Sequence, residues 1–171
     1  MNMLTHKTLL TGAMILALSA CSNNDDDAVA TAQSYRISIT NLTHAQPLSP
    51  PFALLHDSSF KLWRIGESAT TALEMMAEGG DASALLVLAG SNPQFHAAVP
   101  LAPGANTEFT LTMTQSSQNH LSLAGMLVNT NDAFSGINSI ELDNLAAGQN
   151  AVYYSNVYDA GTEFNSELAG T

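Results

Sequence analysis

HLSLAGMLVNTNDAFSGINSIEL, from His120 to Leu142, is two apolar runs parted by a polar one. His120 to Val128 reads as a long apolar strand, and Gly125 inside it marks a bulge or a close backbone approach. Ile137 to Leu142 reads as a second strand. Between them stands a single carboxylate, Asp132, among small polar residues. Two strands joined by so polar a loop favour a β-rich fold with chemistry at the loop end.

The flanking sequence repeats the pattern. Ser34 to Thr40 alternates Tyr35, Ile37 and Ile39 with polar neighbours, as a half-buried strand does. Pro47, Pro50 and Pro51 then force an extended loop, because each fixes its own φ and restricts the residue before it. Short strands are expected at Phe52 to Leu55 and at Phe60 to Ile65, the latter placing Trp63 in the core. Ser68 caps a predicted helix running to about Ala77 and stopped by Gly79-Gly80. Asp81 caps a second one running to about Leu88. Met75 and Met76 read as core filling. Strand signals return beyond Pro93, at Glu108 to Met113 with Phe109, Leu111 and Met113 on one face, and at Ala151 to Val157. The expectation is a mainly β, antiparallel sandwich with a small helical insertion. No internal repeat of 20–50 residues is visible.

Residues 1–20 read as an export signal. Lys7 supplies the positive region, and Leu9 to Ala20 is an apolar run too short to span a bilayer. Its end, Leu18-Ser19-Ala20-Cys21, resembles the lipobox of bacterial lipoproteins. That resemblance implies a lipidated Cys21, a membrane partner through the lipid anchor, and a place in the bacterial envelope. Ser22 after the cysteine implies sorting to the outer membrane. Cys21 is the one cysteine, so no intrachain disulfide can form. Residues 21–33 carry Asp25-Asp26-Asp27 with no apolar period and read as a solvated tether. Residues 34–171 are long enough for one domain with a single core.

Beyond the signal, three basic residues (Arg36, Lys61 and Arg64) face 15 acidic ones, a formal charge of −12 once Lys7 is gone. From Ile65 to Thr171 there are eleven Asp and Glu and no Lys or Arg. Nucleic-acid binding is excluded on this balance, since phosphate contacts need cations. Acids that cluster here must face water, take up protons, or recruit a metal ion. Asp132 follows one strand, and Asp159 and Glu163 follow another in YDAGTE. If those strands lie side by side and run the same way, the three carboxylates meet at one end. Carboxylates on loops suit calcium, with Gly161 giving the loop freedom to fold around the ion. Asp and Gly also dominate ordinary turns, and composition alone does not choose.

ITNLTHAQPLSPP, FKLWRIGESATTALEMMAEGGDASAL, LSLAGMLVNTNDAFSGINSIEL and YDAGTE, in that order, resemble the spondin N-terminal domain, and most closely its bacterial lipoprotein branch. The resemblance spans about Ser34 to Glu163. It implies a C2-like β-sandwich holding Ca2+ at edge loops, with ligands falling on Asp132, Asp159 and Glu163. Asn131 and Ala133 stand where the family has proline and tryptophan, and Glu163 stands where it has aspartate. The family domain usually continues past this point, whereas this chain stops eight residues after Glu163. A shortened domain lacking its last strand is one expectation that follows.

The function expected is therefore a non-enzymatic, calcium-binding lipoprotein in adhesion or matrix contact, with a surface protein or polysaccharide as ligand. Two alternatives are a purely structural metal and a metal-assisted hydrolase. The histidines (His6, His44, His56, His96 and His120) show no ligand-type pairing, and no Gly-x-Ser-x-Gly elbow is present.

Overall fold

The computed structural model describes residues 33–164. The expected export signal, Cys21 and the expected tether, up to residue 32, lie outside the described residues. In chain order the elements are β1 (Ser34–Thr40), β2 (Phe52–His56), α1 (Thr71–Gly79), α2 (Ser83–Ala89), β3 (Gln94–His96), β4 (Asn106–Thr112), β5 (His120–Met126), β6 (Ala133–Glu141) and β7 (Asn156–Asp159). All strand pairings are antiparallel. β1 pairs with β4, and the other five form a sheet in the order β3-β2-β5-β6-β7. The protein is thus mainly β, with two antiparallel sheets and two short helices.

Every residue of β2 is buried, because the larger sheet is covered on both faces. Phe52 and Leu54 point to one side, where Leu73 and Met76 of α1 and Leu85 of α2 meet Phe134. Ala53 and Leu55 point to the other, against Leu111 of β4, Leu121 and Leu142. Alternate exposure in β1 and β4 follows from this, since the small sheet buries one face only. Its register sets Ile37 opposite Phe109 and Tyr35 opposite Leu111. Phe109 also stacks on Phe95 of β3, with ring centroids 3.8 Å apart. The helices are therefore the second cover of the sheet as well as an insertion in the chain.

Several local signals landed close to their marks. Gly80 closes α1 in the left-handed region, φ 67°, with its N–H turned back to the carbonyls of Met75 and Met76. The N-cap is Thr70, two residues beyond Ser68, and its hydroxyl accepts from Leu73 N at 3.3 Å. Asp81 precedes the N-cap position of α2, which Ala82 occupies without a side-chain bond. Its carboxylate instead accepts from Ser83 N at 2.8 Å, which holds its pKa below the usual range. Met76 is fully buried as core filling, whereas Met75 turns partly to solvent. Gly125 is a close approach, where an added Cβ would stand 3.4 Å from the Ser49 carbonyl oxygen. The ladder irregularity lies elsewhere, between Leu121 and Leu123.

Two expected strands differ. Phe60 to Ile65 is a loop, because its backbone finds a side chain in place of a neighbouring strand. Leu62 N donates to Asn138 Oδ1 at 2.9 Å, and Asn138 Nδ2 donates to the Trp63 carbonyl at 2.6 Å. One amide group thus serves the loop as a ladder partner would. Of Ala151 to Val157, only Asn156 onward pairs, and the strand extends to Asp159.

Among the described residues β7 is the outermost strand of its sheet, and Val152, Tyr154, Val157 and Phe164 nearby are exposed. An edge of this kind recruits another strand. The protein is expected to self-associate as concentration rises, and Val157→Lys should weaken the association. Sedimentation velocity over a concentration series checks this, and a concentration-independent monomer overturns it.

Candidate functional site

β5 and β7 run the same way, each antiparallel to β6, which lies between them. Asp132 stands one residue before β6 and Asp159 is the last residue of β7. Ala133 and Asp159 are register partners, so the two acids share one end of the sheet. The link is reinforced by Ala160 N, which donates to the Asp132 carbonyl at 3.2 Å.

Asp132 is buried, 1% exposed. Its Oδ2 accepts from Thr162 N at 3.0 Å and from Glu163 N at 3.1 Å. The loop after β7 curls over the carboxylate to make these bonds. Asp159 Oδ1 accepts from Gly161 N at 2.7 Å, and Gly161 sits at φ 71°, where glycine carries no steric penalty. Asn131 Nδ2 donates to the Phe164 carbonyl at 3.2 Å and closes the corner from the other side. An acid without a basic partner thus has one more recourse than water, a proton or a metal ion. Successive backbone N–H groups cradle its charge.

The oxygen donors at this corner are of the kind a hard cation takes. Thr162 Oγ1 is buried there with no hydrogen-bond partner in the structure. Glu163 is tied in through its backbone N–H, while its residue as a whole is exposed. Among the described residues no three His, Cys, Asp or Glu side chains are placed to hold one ion together. Oxygen donors of the kind calcium takes are present, and Asp132 and Asp159 share one end of the sheet. A full set would need the Glu163 carboxylate as well.

Two features escaped the sequence reading. The first is a cavity of about 340 Å3 between the loop 61–70 and the ends of β6 and β7. Trp63 packs edge-on to Phe134 at 5.1 Å and against Tyr158 at 5.1 Å. The second is a buried polar network in which His56 Nδ1 donates to the Asp57 carbonyl at 2.7 Å. His56 Nε2 then accepts from the Ser122 hydroxyl at 2.8 Å, and Ser139 N donates to that same oxygen at 2.8 Å. His56 and Ser122 are both sealed from solvent. The imidazole rests on a backbone carbonyl, and the pair reads as a staple for the sheet irregularity at Ser122.

Burial pushes the His56 pKa below 6.5, opposed by the Asp57 carbonyl and assisted by nearby His120 and Lys61. The unfolded chain, with its ordinary histidine, then binds more protons than the folded one at pH values between the two pKa values. Stability is full above the unfolded pKa and falls as pH drops through it toward the lower folded value. The melting temperature should decline as pH falls through 6.5. A His56→Asn variant should show a flatter profile. Parallel profiles for both proteins would dismiss His56 as the cause.

Comparison with known proteins places these elements. A search of curated proteins finds no match. A family model described as Spondin_N matches residues 40–167, a span that includes the helices, the loop 61–70, the Asp132 corner and YDAGTE. The chain belongs to the Spondin_N family.

Proposed function

We propose that this protein is a calcium-binding adhesion domain held at the bacterial surface by a lipid on Cys21, without enzymatic activity. The observation that carries the metal reading is the corner itself, where buried Asp132 and neighbouring Asp159 share one sheet end under a single loop. From Ile65 onward the sequence carries eleven Asp and Glu and no Lys or Arg. Asp132, Asp159 and Glu163 would hold the ion, which would fix the loop after β7. Support for adhesion is the family resemblance and the exposed position of that loop.

Calorimetric titration with calcium, followed by capture of surface polysaccharide and protein with and without calcium, tests the reading. Calcium-dependent capture supports adhesion. Calcium binding without capture reduces the ion to a structural role, and turnover of a hydrolase substrate panel would replace the reading with an enzyme. No helix among the described residues is long and apolar enough to cross a membrane. Anchoring would fall to Cys21, in the outer membrane. Wild-type protein should label with a fatty-acid analogue, and Cys21→Ala should not. Equal labelling would end the lipoprotein proposal.

A further inference from the structure

The Ser122 hydroxyl has one proton to give and two acceptors within reach of it. His56 Nε2 and Ser139 N each lie 2.8 Å from Ser122 Oγ, and Asn138 Oδ1 lies 3.3 Å from it. The sheet irregularity brings these groups together. Leu121 pairs with Ile140 and Leu123 with Ile137, so Ser122 faces both Asn138 and Ser139. Ser139 reaches its place at φ 57°, a conformation that residues other than glycine enter at a cost.

The charge on His56 decides where the hydroxyl proton goes. The Asp57 carbonyl can only accept, so His56 Nδ1 carries a proton in either state. In the neutral ring Nε2 is an acceptor and receives the Ser122 proton, while Ser139 N donates to the hydroxyl oxygen. In the charged ring Nε2 is itself a donor. Ser122 Oγ then accepts from both His56 and Ser139, and its own proton turns to Asn138 Oδ1. One set of atoms thus supports two hydrogen-bond arrangements.

Asn138 is also the residue that fastens the loop 60–65. Its Oδ1 accepts from Leu62 N at 2.9 Å, and its Nδ2 donates to the Trp63 carbonyl at 2.6 Å. Trp63 in turn packs against Tyr158 of β7 at 5.1 Å. We propose that His56, Ser122 and Asn138 form a proton-operated latch, in which a proton taken up at His56 Nε2 turns the Ser122 hydroxyl onto Asn138 and alters its grip on this loop. A second donor on the Asn138 carbonyl polarises the amide and strengthens its bond to Trp63, while Leu62 must share its acceptor.

Charged groups face His56 from the loop and from β5. Lys61 and His120, whose ring is 6.1 Å from that of His56, oppose a positive charge there, and Asp57 favours one. β6 brings Glu141, opposite His120 in the ladder. Burial is the largest influence and holds the His56 pKa below 6.5, so the latch turns only in acid.

NMR of the full chain, titrated from above to well below the ordinary histidine pKa, follows the His56 ring, the Asn138 side-chain amide and the Leu62 amide together. The Asn138 proton signal should move downfield and the Leu62 signal upfield, both at the His56 midpoint. His120→Gln should keep both movements, and His56→Gln should lose them. Ser122→Ala should lose them too, whereas a through-space effect of the charge would survive that change. Coupling is reciprocal, so Asn138→Ala should make His56 titrate at lower pH than in the wild type. Asn138 is only half-buried, and this variant serves where Ser122→Ala fails to fold. A ring that stays neutral throughout, amide signals that ignore its midpoint, movement that persists in Ser122→Ala, or an unchanged His56 midpoint in Asn138→Ala each overturns the proposal.

Discussion

Gly136→Ala is expected to destabilise the protein by about 3 kcal/mol or more, a large share of the about 5–15 kcal/mol that holds a typical domain folded. Gly136 lies opposite Ala124 in the β5–β6 ladder. A Cβ there would collide with the Leu123 carbonyl oxygen, and would also stand 3.1 Å from Ala124 Cα and 3.1 Å from Trp63 Cη2. Two of these three neighbours are backbone atoms of a central strand and cannot turn aside. Trp63 could move, but only by leaving its edge-on contact with Phe134. Denaturant unfolding checks the stability, and Trp63 emission should shift to the red even in the folded fraction. Gly79→Ala is the control. Nothing lies within 4 Å of its added Cβ, and its place at the end of α1 suits alanine. It should be neutral or stabilise by up to about 1 kcal/mol. Similar stability for the two variants would refute this close packing of β6 on β5.

Asp132 should separate two effects that its position combines. Asp132→Ala removes the acceptor of two backbone N–H groups at a buried site. Losing these bonds to a charged acceptor should cost about 3 kcal/mol without any metal. Asp132→Asn keeps an oxygen for the N–H groups and loses the charge. It should retain most of the calcium-free stability while losing most of the calcium response. For the wild type that response should grow by mass action, to about 2.7 kcal/mol at a hundred-fold excess of calcium over the Kd. Asp159→Ala should also remove most of it, Glu163→Asp should be tolerated, and magnesium should substitute poorly because it demands a tighter octahedron. Thermal melts with calcium, magnesium and chelator read all of this. The triple variant Asp25→Ala, Asp26→Ala, Asp27→Ala removes three acids while leaving Asp132, Asp159 and Glu163 in the sequence. A full calcium response in Asp132→Asn, or its loss in the triple variant, would put the metal elsewhere.

By itself the sequence determined the elements whose cause is local. Alternation along Ser34–Thr40 and the apolar run from His120 made strands, because burial on a pleated surface selects every second residue or nearly all of them. Gly80 ended α1, because few other residues enter the left-handed region cheaply. Asp132 also stood out in sequence, as an acid with no basic partner nearby.

Tertiary structure decided what those residues meet. Loop 60–65 is not a strand because Asn138, 76 positions from Leu62, satisfies its backbone. Asp132 is settled by two N–H groups about thirty residues later, which no local pattern could announce. Gly136 matters through backbone on the neighbouring strand, and the cavity exists only where the loop at Trp63 reaches Phe134 and Tyr158. Propensity and periodicity act over a turn or a strand's width. Hydrogen-bond satisfaction, close approach and the shape of a void depend on groups that folding alone makes neighbours.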